Sequence, residues 1–356
     1  MHCSARAGSQ LCALAAGAAL LLSACSEPPA AEEPTGDELD RAWRIAVGED
    51  PLDRTVAHIY SLALNSRDQP TMVVEAEQPT HEAAARLASS PAEDEEGTDG
   101  PPEDPQEEHG GSDAGEYEIV LARTMPLAET LDPEGYSELT TPEEGSGAAP
   151  AAAAEGLTDL IAEALEGDGD PQAHMLTPGA AVLSTSAMTT TASAAALELD
   201  EEEPEGMAGL EEHCQDLVFA HREGLPQLQE ALDEIYGCEP EEMSEAEEDT
   251  LIEQLITAQA DVVLVTSSHP GAQENALVEL EDTGRAFPRD QYVPVITAGL
   301  AEDSYEVADE ISEALDGDSI AMLRRLLHGE DGLAPEEAAQ YWMVEEDFIA
   351  EPDTWG

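Results

Sequence analysis

The 356-residue sequence contains no lysine; its 12 basic residues, all arginine, face 81 aspartates and glutamates, for a formal charge of -69. Without lysine, neither a Schiff base nor a phosphate loop built on that residue is possible. A surface this negative repels phosphate backbones, which argues against nucleic-acid binding. Long apolar runs are scarce as well: there is one, Leu11 to Leu22, so a polytopic membrane protein is excluded. Aromatic residues make up only 4% of the chain, with 3 Trp, 7 Tyr and 3 Phe, which limits any site made of stacked rings. No Gly-x-Ser-x-Gly elbow, His-Glu-x-x-His pair or Cys/His nucleophile pattern occurs. Paired carboxylates are so numerous that they carry no acid–base signal. The expectation is a protein that is not an enzyme and has no cofactor and no metal site.

What is present begins at the amino terminus. Arg6 precedes the apolar run, which ends in Leu22-Ser23-Ala24-Cys25. The run is too short for a stable membrane span, which needs about 20 apolar residues, and reads as a secretory signal over 1–24. Small residues before a cysteine resemble the lipobox of bacterial lipoproteins, which implies that Cys25 is lipidated; an ordinary signal with an incidental cysteine is the alternative. Residues 25–40, rich in Pro, Glu and small residues, read as a disordered tether. Cys3 and Cys12 leave with the signal. Cys214 and Cys238 remain, and in an exported protein they are expected to pair; closing a loop of roughly 25 residues contributes about 3 kcal/mol. A metal site would need more ligands at short spacing.

From residue 41 the pattern alternates. Strands are expected at Trp43–Val47, Thr71–Val74, Tyr117–Leu121, Ala181–Leu183, Leu217–Phe219, Val262–Val265 and Tyr292–Ile296. Helices are expected from Asp53 through Leu64, His81 to Leu87, Leu157 to Leu165, Leu225 to Tyr236 (ended by Gly237), around Leu251–Ile256, and over 303–315, 318–327 and 335–343. Residues 90–115, 140–156 and 199–206 are acidic or Gly/Ala/Pro-rich and read as loose segments, with His109 solvated in the first. Strands alternating with helices predict an α/β architecture with mainly parallel sheets, and place ligands at the carboxyl ends of the strands. Two such lobes would leave a cleft between them.

Phe219-Ala-His-Arg222-Glu-Gly224-Leu-Pro226-Gln-Leu228, followed by Ile235-Tyr-Gly237, resembles the glycine betaine/choline/carnitine (osmoprotectant) ABC-transporter substrate-binding proteins. Ala260-Asp261-Val-Val-Leu-Val-Thr266, Leu280-Glu-Asp282 through Phe287-Pro288, and Val293-Pro-Val295 are similar to later segments of that family, and Ile59-Tyr60 to its first helix. The resemblance implies a two-lobed, periplasmic-binding-protein-like fold (type II, Venus flytrap). It places lobe 1 at 41–122 and 268–356 and lobe 2 at 123–267, with crossings near 122–126 and 266–270. It implies a monomeric extracytoplasmic lipoprotein that binds a small quaternary ammonium or zwitterionic solute, holds the membrane through its lipid, and delivers to ABC permease subunits. The alternative is a diverged flytrap sensor or accessory protein with altered or lost ligand binding.

The same resemblance supplies candidate ligand contacts. Arg222 matches the family's arginine and suits a bidentate carboxylate, with a structural ion pair as the alternative. A family tyrosine that faces the ligand falls on Arg123, followed by Thr124, and a family Thr-Asp is replaced by Ser267-Ser268. Both changes move the cleft away from cations and toward an anionic or zwitterionic ligand, unless Arg123 simply pairs with a carboxylate. Thr189 and Thr190 are placed after a strand as donors to a ligand carboxylate. Trp43, Tyr60, Tyr341 and Trp342 read as core, whereas Tyr117, Tyr236 and Phe219 are the rings expected nearest the cleft.

Overall fold

In a computed structural model of the chain, the described residues lie within 42–351, apart from 90–116, 141–153, 167–170, 198, 200–205, 224, 226, 227, 301, 330 and 331. The signal, Cys25, the tether, the segment 90–115 with His109, and most of the two other loose segments lie outside the described residues. The edges of the segment 140–156 that are described belong to helices.

The chain opens with β1 (Trp43–Val47), α1 (Pro51–Asn65), β2 (Thr71–Glu75), α2 (Thr80–Ser89) and β3 (Ile119–Arg123). Helices α3 (Thr124–Leu131), α4 (Pro133–Thr140) and α5 (Ala154–Glu166) precede β4 (Ala173–Met175). Next come β5 (Leu183–Thr189), α6 (Thr191–Ala196), β6 (Val218–His221), α7 (Leu228–Tyr236), β7 (Glu242–Glu245), α8 (Glu248–Ile256) and β8 (Val262–Thr266). The last elements are α9 (Pro270–Glu274), β9 (Val278–Leu280), β10 (Arg289–Asp290), β11 (Tyr292–Thr297), α10 (Glu302–Ala314), α11 (Gly317–Leu327) and α12 (Pro335–Glu345).

Local chemistry accounts for the key elements. Pro51 sits in the first turn of α1, and the Asp50 carboxylate accepts the backbone N–H of Leu52 at 2.8 Å and of Asp53 at 3.3 Å. The helix then buries Leu52, Val56, Ile59, Tyr60 and Leu64 on one face. The run Val262–Val265 is buried throughout, as a central strand requires. The predicted strand at 181–183 lies two residues too early. Its Ser/Thr-rich continuation is itself the strand, because alternating hydroxyls satisfy a pleated position as well as apolar groups do.

Two sheets result, with strand orders β2-β1-β3-β11-β4 and β10-β5-β8-β6-β7, with β9 alongside β5. Each is mixed rather than mainly parallel. β1 runs parallel to β2 and β3, and β6 to β7 and β8, but β11, β4, β5, β9 and β10 pair antiparallel. The antiparallel strands include those that enter a sheet from the other lobe, and such a strand needs no crossover helix to fix its direction.

The topology also corrects the lobe boundaries. The first lobe holds the described residues of 42–181 and 292–351, and the second those of 183–290. Helices α3 and α5 do not enter the second lobe, because Leu127, Leu157 and Ile161 bury themselves against Val120, Val293 and Val295 on the first sheet. Nor does the chain return at 268: α9, β9 and β10 stay with the second sheet. The crossing is a short antiparallel ribbon in which Arg289 pairs with Ser184 and Asp290 with Leu183. Asp290 fastens it to the first lobe. Its Oδ1 accepts from Thr124 Oγ1 at 2.7 Å, Met125 N at 2.9 Å and Gln291 N at 3.0 Å. Burial raises its pKa.

Candidate functional site: an arginine-lined cleft between the lobes

A cavity of about 570 Å³ lies between the lobes. Every parallel strand that ends near it contributes the residues just past its carboxyl end. From the first lobe come Asp50 after β1 and Arg123 at the end of β3; from the second, Arg222 after β6, Glu247 to Asp249 after β7, and Thr266 to His269 around the end of β8. Arg324 and His328, at the end of α11, close it from the first lobe. This is where open α/β sheets bind ligands.

Three of the chain's 12 arginines line this one cavity, and they are not equivalent. Arg123 is tied down: its Nη2 lies 2.5 Å from Asp53 Oδ1, and its guanidinium sits 5.1 Å from the centre of the Tyr292 ring. Tyr292 in turn donates to the same Asp53 oxygen at 2.7 Å. Burial opposes the charge on Arg123, but Tyr292 and Asp53 outweigh it and raise its pKa. Arg222 donates from Nη2 to Thr185 Oγ1 at 3.2 Å and from Nη1 to the Glu223 carbonyl at 3.2 Å, yet its Nε is buried without a hydrogen-bond partner. Glu248 Oε1 stands 3.8 Å from that Nε, beyond hydrogen-bond reach. It is occupied by the end of β8, accepting the Thr266 backbone N–H at 2.6 Å and the Thr266 hydroxyl. The Nε of Arg324 is likewise buried and unpartnered. Burial lowers the pKa of both Arg222 and Arg324, with Glu248 opposing the shift.

Two histidines meet across the cleft. His269 caps α9, its Nδ1 accepting the Gly271 backbone N–H at 3.2 Å. That bond places the ring proton on Nε2, which faces Asp249 at 3.6 Å and Glu248 at 3.9 Å. His328 of the other lobe lies edge-on, ring centres 5.9 Å apart, with Asp249 4.0 Å from its Nδ1. Burial lowers the pKa of His269. No Trp, Tyr or Phe lines the cavity, and no group of three or more His, Cys, Asp or Glu suited to a metal occurs among the described residues.

Of the expected contacts, the structure brings Arg123 and Arg222 to the cavity. Thr124 lies behind it, with its hydroxyl on Asp290. Ser267 is taken up by the interlobe ribbon, exchanging hydrogen bonds with Ser184 at 2.8 and 3.2 Å, and Ser268 occupies a positive-φ turn; the lining passes from Thr266 to His269. Thr189 and Thr190 belong to the far end of β5, about 13 Å along the strand from Thr185. There Thr189 donates to the Asp261 carbonyl at 2.8 Å and Thr190 caps α6, so neither lines the cavity. The strand direction decides this: β5 runs away from the cleft. Phe219 and Tyr236 are core rather than cleft edge, the tyrosine hydroxyl being held 2.5 Å from Asp282. Trp342 and Tyr60 are core as read from the sequence. Cys214 and Cys238 form a disulfide, with Cα atoms 5.3 Å apart. Sequence reasoning missed Arg324 and the two histidines. The usable signal was scarcity: in a chain with so few cations, an arginine in the last turn of an amphipathic helix carries more information than any carboxylate.

Residues 214–345 match the OpuAC family, described as "Substrate binding domain of ABC-type glycine betaine transport system". The matched stretch spans both lobes and contains Arg222, His269, Arg324 and His328. No curated protein matches the sequence. Among solved structures, one described as "Crystal structure of glycine betaine/carnitine/choline ABC transporter" is similar at 12% identity with a TM-score of 0.62, covering 86% of this chain and 99% of its own. Apo YehZ from Escherichia coli is similar at 13% identity with a TM-score of 0.59, again over 86% of this chain and 99% of its own. At these identities the likeness is one of fold, a two-lobed α/β architecture.

Proposed function

We propose that this chain is a diverged, non-enzymatic member of the family matched by residues 214–345, the substrate-binding domains of ABC-type glycine betaine transport systems, and that it is the extracytoplasmic solute-binding lipoprotein of an ABC importer. It captures a glycine betaine-like osmoprotectant or a related small solute in the interlobe cleft. Cys25 carries the lipid that holds it at the outer face of the membrane. The observation that carries this reading is the position of the cavity, bounded by strand ends of both lobes and by the end of α11 from the first.

A ligand contacting Arg222 and His269 on one side and Arg324 and His328 on the other stabilises the closed arrangement, and the closed form is what a permease distinguishes from the open one. The absence of rings from the lining gives weight to the second reading, a flytrap protein whose ligand has changed. Thermal unfolding of the mature chain against glycine betaine, choline, carnitine, proline and ectoine tests the proposal. A ligand at 100 times its dissociation constant adds about 2.7 kcal/mol of stability. A cooperative unfolding transition that none of these solutes moves removes the import reading in favour of the accessory one.

A further inference from the structure

We infer that the cleft takes a zwitterion whose carboxylate is held between Arg222 of one lobe and Arg324 of the other, and whose cationic end carries N–H groups. This inference rests on the solute-binding reading above and narrows it to a class of ligand.

The arginines supply the first half. In a chain with 81 acidic residues against 12 arginines, a guanidinium finds a carboxylate easily. Arg54, Arg67 and Arg123 each do so. Arg222 has Glu248 3.8 Å from its Nε, beyond hydrogen-bond reach, and Arg222 and Arg324, which line the same cavity from opposite lobes, each keep a buried Nε–H with no acceptor. A buried donor without a partner is costly, and the cost is removed when an acceptor arrives. Two such donors, on planar forks suited to two-point contact with a carboxylate, are what an oxyanion group would satisfy. Arg123 does not compete for this role, because Asp53 and Tyr292 hold it. Burial lowers the pKa of both Arg222 and Arg324 although Glu248 opposes the shift, which agrees with two cations held away from water.

The second half comes from the rest of the lining. Quaternary ammonium groups have no N–H to donate and are held by aromatic faces, and no Trp, Tyr or Phe is among the described residues that line this cavity. Apart from Arg123, which Asp53 holds, its other charged residues are carboxylates: Asp50, Glu223, Glu247 and Asp249, with Asp50 capping α1 and Glu248 committed to Thr266. Carboxylates hold a cation best through hydrogen bonds, so they favour a primary or secondary ammonium, or an amidinium, over a trimethylammonium. A purely anionic ligand would meet this acidic side unfavourably, and a purely cationic one would leave both arginine donors unsatisfied.

Titration calorimetry on the mature chain with matched pairs tests both halves. The pairs are glycine and glycine betaine, proline and its N,N-dimethyl betaine, and γ-aminobutyrate and its trimethyl betaine, with choline and succinate as single-charge controls. The expected result is that the N–H-bearing member of at least one pair binds, that its methylated partner binds at least tenfold more weakly, and that neither control binds. Arg324→Met is expected to weaken binding roughly 30-fold or more, while the empty protein melts at the same temperature or higher, because an unpartnered donor has been removed. A purely structural Arg324 would instead lower the melting temperature. Arg324→Lys recovers only part of the affinity. Tighter binding of the methylated members or of choline, unaffected by Arg324→Met, overturns the inference and leaves the solute-binding reading standing. Binding of succinate alone overturns the zwitterion. No binding by any compound to a folded protein overturns both.

Discussion

The two lobes solve the same stability problem by different means. The first buries both faces of its sheet under long helices, and its core holds Trp342 and Tyr292, the two largest fully buried side chains. The second is shorter, has two smaller clusters, and is stapled by the Cys214–Cys238 disulfide beneath Phe219 and Phe287. A small core buries a smaller fraction of the surface its chain would otherwise expose, and a covalent link offsets that deficit by restricting the unfolded chain. Within the cleft, Arg123 is fixed by Asp53 and Tyr292, whereas Arg222 of the second lobe and Arg324 of the first each keep an unsatisfied donor.

The contrast is open to direct attack. The largest effect is expected from Trp342→Ala, which removes a fully buried ring stacked on Phe348 with centres 5.6 Å apart. It should cost about 3–5 kcal/mol, with lost amide protection confined to the first lobe. Equal loss in both lobes in hydrogen exchange would show a single cooperative unit instead. Replacing both Cys214 and Cys238 by serine should cost about 3 kcal/mol and strip protection from the second lobe first. Asp290→Ala leaves the Met125 N–H without its acceptor at the interlobe ribbon. A loss of about 1–3 kcal/mol in denaturant unfolding is expected, with little change in either core.

The smallest effect is a pH dependence. Burial holds His269 below its ordinary value of 6.5, with Glu248 and Asp249 opposing and His328 and Arg324 adding to the shift. The unfolded chain therefore binds that proton more tightly than the folded one. Stability from this group is complete above about pH 6.5 and declines as the pH falls through the folded value. His269→Gln should flatten that part of the stability–pH curve, and an unchanged slope would clear His269 of the role.

Much of the secondary structure could be read from residue patterns. The runs at 43–47, 71–74, 262–265 and 292–296 fold as strands, and the helices after 302 begin and end within a few residues of their expected limits. The disulfide was legible from arithmetic, since two cysteines remained once the amino-terminal ones were set aside. Helices α3 and α4 went unread, because short segments with few apolar positions give a weak period. The site was half legible. Arg123 and Arg222 reached the cleft because each ends or follows a parallel strand, where topology gathers side chains. Thr189 looked equivalent in sequence but lies on a strand that runs the other way.

Sequence by itself determined where this chain is apolar, how its elements alternate, and how few cations it has to place. Periodicity is a local property and needs no knowledge of partners. Tertiary structure alone decided which sheet α3 and α5 cover, where the chain crosses between lobes, and which arginines keep an unsatisfied Nε. Those outcomes depend on contacts between residues far apart in the chain. A guanidinium at position 123 meets Asp53 and one at 324 meets no acceptor for its Nε for one reason: the fold brings a carboxylate to the first and an empty cleft to the second.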